Sequence, residues 1–220
     1  MNFGGIEEKY EALETAAFVV VPVPYDLTTT YQGGTRKGPA AILEASCNME
    51  LYDEEVEAET YRAGIHTMEP LEAVASGPEG MLARIEEAVS GVFELGKIPV
   101  MLGGEHSITL GAVRAARKRY PKLSVLHLDA HADMRMSYQG TPYSHACIGR
   151  RMIELCPVVQ AGIRSMSVEE AAYLRKRRLP VYSAAAIRQD RAWIGKLMRQ
   201  LSRDVYITVD LDAFDPAVMP

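Results

Sequence analysis

The stretch Leu123-Ser124-Val125-Leu126-His127-Leu128 runs directly into Asp129-Ala130-His131-Ala132-Asp133. The first part is a short and mostly apolar run, which is typical of a strand covered on both faces in a parallel sheet. The second part places two carboxylates and an imidazole where that strand ends. Because parallel sheets bind ligands outside the carboxyl ends of their strands, the sequence predicts chemistry at this junction.

Similar apolar runs predict four further strands. They are Ala17–Val23, Ile98–Leu102, Val158–Ile163 and Val205–Val209. Helical spacing of apolar residues separates the runs. It predicts a helix from Pro39 through Met49, a helix from Pro78 to Gly96, a helix capped by Ser107, and a helix through Ile187, Ile194, Leu197 and Leu201. The alternation predicts an α/β fold, as three α/β/α layers around a mostly parallel sheet, and 220 residues fit a single domain.

Composition excludes several classes of protein. The chain is 48% hydrophobic with a formal net charge of −5, so it has a core to bury and no overall charge that favours nucleic acid. No apolar run approaches the roughly 20 residues that cross a bilayer, and the first residues do not resemble a leader peptide. Three cysteines (Cys47, Cys147 and Cys156) have no paired spacing, which argues against disulfides. We therefore expect a cytoplasmic protein with no membrane partner.

Two more strands are predicted to end in residues that can bind metal. Gly103-Gly104-Glu105-His106-Ser107 follows one strand, and Asp210-Leu211-Asp212-Ala213-Phe214-Asp215-Pro216 follows another. Any one of these motifs fits a turn or a helix cap as well as it fits a metal site, but the three together favour a metal site. Four carboxylates collected at one edge repel each other, and two divalent cations neutralise them. Carboxylates with a minority of imidazoles suit Mn²⁺, and a pair of such ions can activate a shared water.

These three motifs resemble the signature motifs of the ureohydrolases, the arginase and agmatinase family, and the resemblance spans essentially the whole chain. The family commonly has Asp at the position of Glu105. The resemblance implies an arginase-like fold and two Mn²⁺ ions. One ion would be held by His106, Asp129, Asp133 and Asp210, and the other by Asp129, His131, Asp210 and Asp212. Asp215 would support its loop instead of binding metal.

The resemblance also implies a role for His145. It aligns with the family's active-site histidine that binds no metal and is credited with proton shuttling or substrate contact. An imidazole titrates in the range that such work requires. His127 is interpreted as a packed or supporting residue, and Cys147 lacks an evident base that would make it a nucleophile.

The substrate implied by the resemblance is a small cationic guanidino compound. Residues 134–142 lack the arginase pattern. This loop, residues 144–151 and residues 160–165 resemble bacterial and archaeal agmatinases. The expected reaction is therefore agmatine to putrescine plus urea, a step of polyamine biosynthesis. Arg150 and Arg151 keep open an acidic guanidino substrate, as in a guanidinobutyrase, and an arginase is a further alternative.

The resemblance has two further implications. Members of the family usually form trimers or hexamers, so we expect a homo-oligomer. They also continue past the Asp-Pro motif with a segment whose glutamate anchors the guanidinium, whereas this chain ends at Pro220. The expectation is a single ureohydrolase domain over residues 1–220 that lacks the C-terminal portion. A metal-binding but inactive homologue with an assembly or regulatory role remains an alternative.

Overall fold

The computed structural model describes residues 1–219, which form two compact units that divide between Ala112 and Val113. Pro220, after which the sequence is expected to lack the family's C-terminal portion, lies outside the described residues. Each unit contains a parallel sheet with helices. The expected α/β class with parallel strands is confirmed.

In the first unit, β1 (Phe18–Val23) is the central strand, between β2 (Ile65–Thr67) and β3 (Ile98–Gly103). Both neighbours run parallel to β1. Five of its six residues are buried, as the continuous apolar run predicts. The helices of this unit are α1 (Glu8–Glu11), α2 (Gly38–Ser46) and α3 (Pro78–Glu94). The apolar face of α3 is buried and packs on β1 and β3.

The second unit contains four parallel strands in the order β6-β5-β4-β7. They are β4 (Ser124–Leu128), β5 (Val158–Ile163), β6 (Val181–Ser183) and β7 (Val205–Val209). Because all four are parallel, their carboxyl ends lie at one edge of the sheet. The segments after β4, β5 and β7 therefore meet there.

Five helices complete the described part of the chain after β3. They are α4 (Thr109–Arg119), α5 (Ile148–Met152), α6 (Val168–Arg177), α7 (Ala184–Gln189) and α8 (Trp193–Met198). The division between the units falls within α4. Among residues 1–219, no helix has both the length and the apolar character needed to cross a membrane.

Three predicted helix details are wrong. Ser107 does not cap a helix: it lies in a 3₁₀ turn, and its hydroxyl donates to the Glu105 carboxylate. The single helix expected through Ile187 and Leu201 is two helices, because the backbone at Asp190 is extended and the Asp190 carboxylate accepts from the N–H of Ala192 at 3.0 Å. The helix that begins near Pro39 ends before Met49.

Candidate metal centre

The segment after β4 is held by backbone hydrogen bonds to neighbouring strand ends. The N–H of Asp129 donates to the carbonyl of Ala161 at 3.1 Å, and the N–H of Arg164 donates to the carbonyl of Ala130 at 2.8 Å. On the other side, the N–H of Asp210 donates to the carbonyl of Leu128 at 2.9 Å. Two of the predicted motifs therefore start at the same level of this sheet.

Asp129, His131 and Asp212 are brought together, with possible ligand atoms that all lie within 4.8 Å of one another. His131 Nδ1 is 3.0 Å from Asp212 Oδ2 and 3.6 Å from Asp129 Oδ1. The second Asp212 oxygen accepts from the N–H of Ala130 at 3.0 Å. Asp129 is fully buried, whereas the His131 side chain is 53% exposed. The group is thus anchored in the sheet and open to solvent.

This group suits a divalent cation. The carboxylates of Asp129 and Asp212 raise the pKa of His131 from 6.5 to about 10, although partial burial of the ring opposes the shift. A site that raises a histidine pKa so far stabilises positive charge. Two carboxylates and one imidazole form the mixed oxygen and nitrogen set that Mn²⁺ accepts. The residues present therefore fit a metal ion.

Asp133 is also buried close to Asp129. Its possible ligand atom lies within 4.8 Å of those of Asp129 and His127. Its backbone has a positive φ of 52°, a conformation that aspartate adopts more readily than most residues. The carbonyl of Asp133 accepts from the N–H of Arg150 at 3.0 Å. This bond ties the end of the motif to α5.

Asp210 and Arg164 hold the turn that carries Asp212. The Asp210 carboxylate accepts from the N–H of Asp212 at 3.3 Å and so caps the 3₁₀ turn Leu211–Ala213. Arg164 donates to the carbonyl of Asp212 and, at 3.3 Å, to the carbonyl of Phe214. Asp215 lies beyond this turn, where its carboxylate accepts from the N–H of Ala217 at 2.9 Å.

His106 lies in the first unit, in a 3₁₀ turn after β3. Gly104 makes the preceding turn: its φ is +28°, and a Cβ there would lie 2.4 Å from the carbonyl oxygen of Tyr25, so glycine is required. Glu105 is buried and accepts from the N–H of Thr28 at 2.6 Å and from its hydroxyl at 2.7 Å. Glu105 thus holds the loop after β1. His106 follows directly, in a turn next to these hydrogen bonds.

His145 lies on a separate 3₁₀ turn of the second unit, His145–Cys147. Its ring contacts Tyr138 edge-on with centroids 6.0 Å apart, and its Nδ1 is 3.3 Å from the hydroxyl of Ser144. The N–H of Arg135 donates to the carbonyl of Ala146 at 3.2 Å. This bond ties the turn to the segment that follows Asp133.

Cys147, the last residue of this turn, is not suited to nucleophilic attack. Burial raises the pKa of its thiol from 9.0 to about 11. At neutral pH the thiol is therefore protonated, and the thiolate is the nucleophilic form.

Three supporting side chains escaped sequence analysis: Gln160, Arg164 and Glu170. The Glu170 carboxylate accepts from the N–H of Ser167 at 2.7 Å and from the N–H of Met134 at 2.8 Å. A signal for Glu170 exists, since Ser167 and Glu170 have the spacing of a helix capping box. For Gln160, the signal is a polar residue in the middle of an apolar run.

Comparisons with known proteins identify the family of this chain. A model of the arginase family matches residues 16–220. The N(1)-aminopropylagmatine ureohydrolase of Thermus thermophilus is 40% identical, over 97% of this chain and 73% of that protein. The agmatinase of Bacillus subtilis is 32% identical, over 94% of this chain and 71% of that protein.

A solved structure gives the same result. The agmatine ureohydrolase of Thermoplasma volcanium matches with a TM-score of 0.88 and 36% identity, over 99% of this chain and 74% of that one. This likeness in fold agrees with the sequence relatives. The chain therefore belongs to the arginase family and is a hydrolase of its agmatinase type.

Proposed function

We propose that this chain is a binuclear manganese hydrolase that releases urea from a linear cationic guanidino compound. The observation that supports this most is the group of Asp129, His131 and Asp212 at the ends of β4 and β7. The proposed ligands follow the family motifs. His106, Asp129, Asp133 and Asp210 take one ion, and Asp129, His131, Asp210 and Asp212 take the other. The places of His106 and Asp210 in this set rest on their motifs.

In the proposed reaction, water adds to the guanidinium carbon, the bond from that carbon to the alkyl nitrogen breaks, and the alkyl nitrogen takes up a proton. The bound ions supply the Lewis acidity that makes water reactive at neutral pH. His145, oriented by Ser144 and Tyr138, is proposed to relay the proton to the departing amine.

Agmatine is the substrate that the sequence motifs favour. N(1)-aminopropylagmatine is a second candidate, because the relative of that name is 40% identical and the agmatinase is 32% identical. Both compounds are cationic and carry the same guanidino end. An acidic substrate is less well supported, since Arg151 pairs with Glu154 at 3.1 Å and Arg150 lies 3.5 Å from the centre of the Tyr173 ring.

The test is urea release from four compounds in the presence of Mn²⁺: agmatine, N(1)-aminopropylagmatine, arginine and 4-guanidinobutyrate. We expect the two polyamines to be hydrolysed, and the ratio of their kcat/KM values identifies the preferred one. Asp212→Asn should lose activity together with bound Mn²⁺. Ser124→Ala, at the opposite end of β4, is the control that should keep both. Mn²⁺ binding without urea release from any compound would favour the inactive homologue.

The role of His145 has its own test. His145→Phe keeps a flat ring against Tyr138 and removes the proton relay. We expect kcat to fall by about 10²- to 10⁴-fold, the usual range for a lost acid or base, with Mn²⁺ content unchanged. A variant with full kcat would exclude the relay.

Assembly, location and domain organisation are proposed on the same resemblance. We propose a homotrimer or hexamer in the cytoplasm, in which residues 1–220 act as one ureohydrolase domain. Light scattering after size-exclusion chromatography tests the assembly, and a monomer would contradict it.

A further inference from the structure

Two fully buried polar side chains lie side by side behind Asp129. His127 on β4 is 0% exposed and Gln160 on β5 is 1% exposed, and they are register partners in the sheet. Gln160 Oε1 has no hydrogen-bond partner within residues 1–219. Leaving a buried polar atom unsatisfied is unfavourable, so an apolar residue would pack better here. Packing in the core therefore does not explain why these two polar residues are buried here.

The hydrogen bonds determine where the imidazole proton sits. A single Gln160 atom, Nε2, lies 2.8 Å from the carbonyl oxygen of Ala132 and 2.9 Å from His127 Nδ1. The carbonyl can only accept, so this atom is the amide nitrogen and donates to both. His127 Nδ1 is therefore an acceptor, and the ring carries its proton on Nε2. That nitrogen is 2.8 Å from Asp129 Oδ2 and donates to it.

The result is a carboxylate whose orientation is fixed on both sides. Asp129 Oδ2 accepts from His127, and Asp129 Oδ1 accepts from the N–H of His131 at 2.6 Å. Gln160 also holds the carbonyl of Ala132, so it contacts the same segment at a second point. The plane of the carboxylate and the backbone around it are thus fixed by one hydrogen-bonded chain.

We propose that His127 and Gln160 are positioning residues that aim the Asp129 carboxylate at the metal ions. This inference rests on the proposed function, in which Asp129 binds metal. Side chains that hydrogen-bond to metal ligands orient the ligands, and losing one typically weakens metal binding by about 10- to 100-fold. His127 acts through Asp129 and is not itself a ligand, because one ring nitrogen donates and the other accepts from Gln160.

The experiment measures binding of Mn²⁺ alone to the full chain, by competition with a chelator and by electron paramagnetic resonance. His127→Phe removes the donor and should weaken binding by about 10- to 100-fold. His127→Gln places an amide N–H near the same point and should restore most of the affinity. Gln160→Leu removes the second member of the chain and should weaken binding in the same direction. Ser124→Ala, a buried change in the same strand, controls for general loss of stability.

The outcomes separate the two levels of the hypothesis. If the unsubstituted protein binds no Mn²⁺, the proposed function fails and the inference fails with it. If it binds Mn²⁺ and the Phe and Leu variants keep its affinity, only the positioning role is overturned. Equal losses in His127→Phe and His127→Gln would show that the donated hydrogen bond is not the cause and would also overturn it. Should His127→Phe not fold, Gln160→Leu decides, with the melting temperature of the metal-free protein as the measure of folding.

Discussion

Replacing Gly162 by alanine tests how closely β5 packs against the candidate site. Gly162 has a φ of +96°, at the point where the pairing of β5 with β6 shifts register. A Cβ at this position would lie 2.9 Å from the carbonyl oxygen of Asp129 and 3.8 Å from Cβ of Ala213. The substitution therefore forces β5 against the backbone of a proposed metal ligand.

The magnitude has three contributions. A left-handed backbone costs an alanine about 1–2 kcal/mol, and an overpacked contact costs about 1–3 kcal/mol. Alanine also restricts the unfolded chain, which stabilises the folded state by about 0.4–1 kcal/mol. The mid-range values sum to a net loss of about 3 kcal/mol in the free energy of unfolding, which lowers Tm by roughly 6–12 °C for a chain of this size.

Gly140→Ala is the matched control. Gly140 also has a positive φ, +82°, but no atom lies within 4 Å of its would-be Cβ. The free energy of unfolding of Gly140→Ala should fall by only about 1 kcal/mol. This is the cost of backbone strain minus the stabilisation that comes from restricting the unfolded chain. Urea unfolding followed by the fluorescence of Trp193, the sole tryptophan of the chain, measures both variants in the unit that contains them.

Metal binding provides the second measurement. Displacement of the Asp129 backbone should weaken Mn²⁺ binding in Gly162→Ala and leave it unchanged in Gly140→Ala. Equal stability losses in the two variants would refute the close approach of β5 to Asp129. A destabilised Gly162→Ala that binds Mn²⁺ normally would show that the strain is absorbed away from the site.

Three further predictions concern other parts of the chain. Gly91→Ala, inside α3 with no atom within 4 Å of the new Cβ, should raise the free energy of unfolding by about 0.5–1 kcal/mol, measured by circular dichroism. At pH 7–8 a thiol reagent should modify exposed Cys47 and spare Cys147 and Cys156. Burial raises the pKa of both spared thiols from 9.0 to about 11, so the folded protein holds their protons more tightly than the unfolded chain, and this contribution to stability should be lost as pH rises from 9 through 11. Glu170→Ala leaves two backbone N–H groups without their acceptor and should lower the free energy of unfolding by about 2 kcal/mol in a urea titration.

The strands could be predicted because short apolar runs rich in β-branched residues are typical of strands, and in β1 and β5 burial on both faces explains the run. The run Val158–Ile163 matches β5, and Val205–Val209 matches β7. The strands β2 and β6 escaped prediction because three residues are too few to display a period. The break at Asp190 was missed because a side-chain hydrogen bond to the next turn competes with a pattern that continues in helical register.

The candidate site was predictable only in part, for a related reason. Residues that bind metal are chemically distinctive and follow strands, so Asp129, His131 and Asp212 stand out in the sequence. The residues that hold them are ordinary, and their partners are distant along the chain. Gln160 is 33 residues from His127, and Arg164 is 48 residues from Asp212. Folding is required to bring such pairs together.

The double hydrogen bonding of Glu170 has a practical consequence for protein engineering. Glu170 lies in the first turn of α6, which begins at Val168. In this chain the carboxylate that closes that turn also secures Met134, one residue after Asp133. Modification at Ser167 or Glu170 would thus weaken the hydrogen bond that holds Met134, directly after the proposed metal ligand Asp133. Crosslinks and labels are better attached elsewhere on the surface.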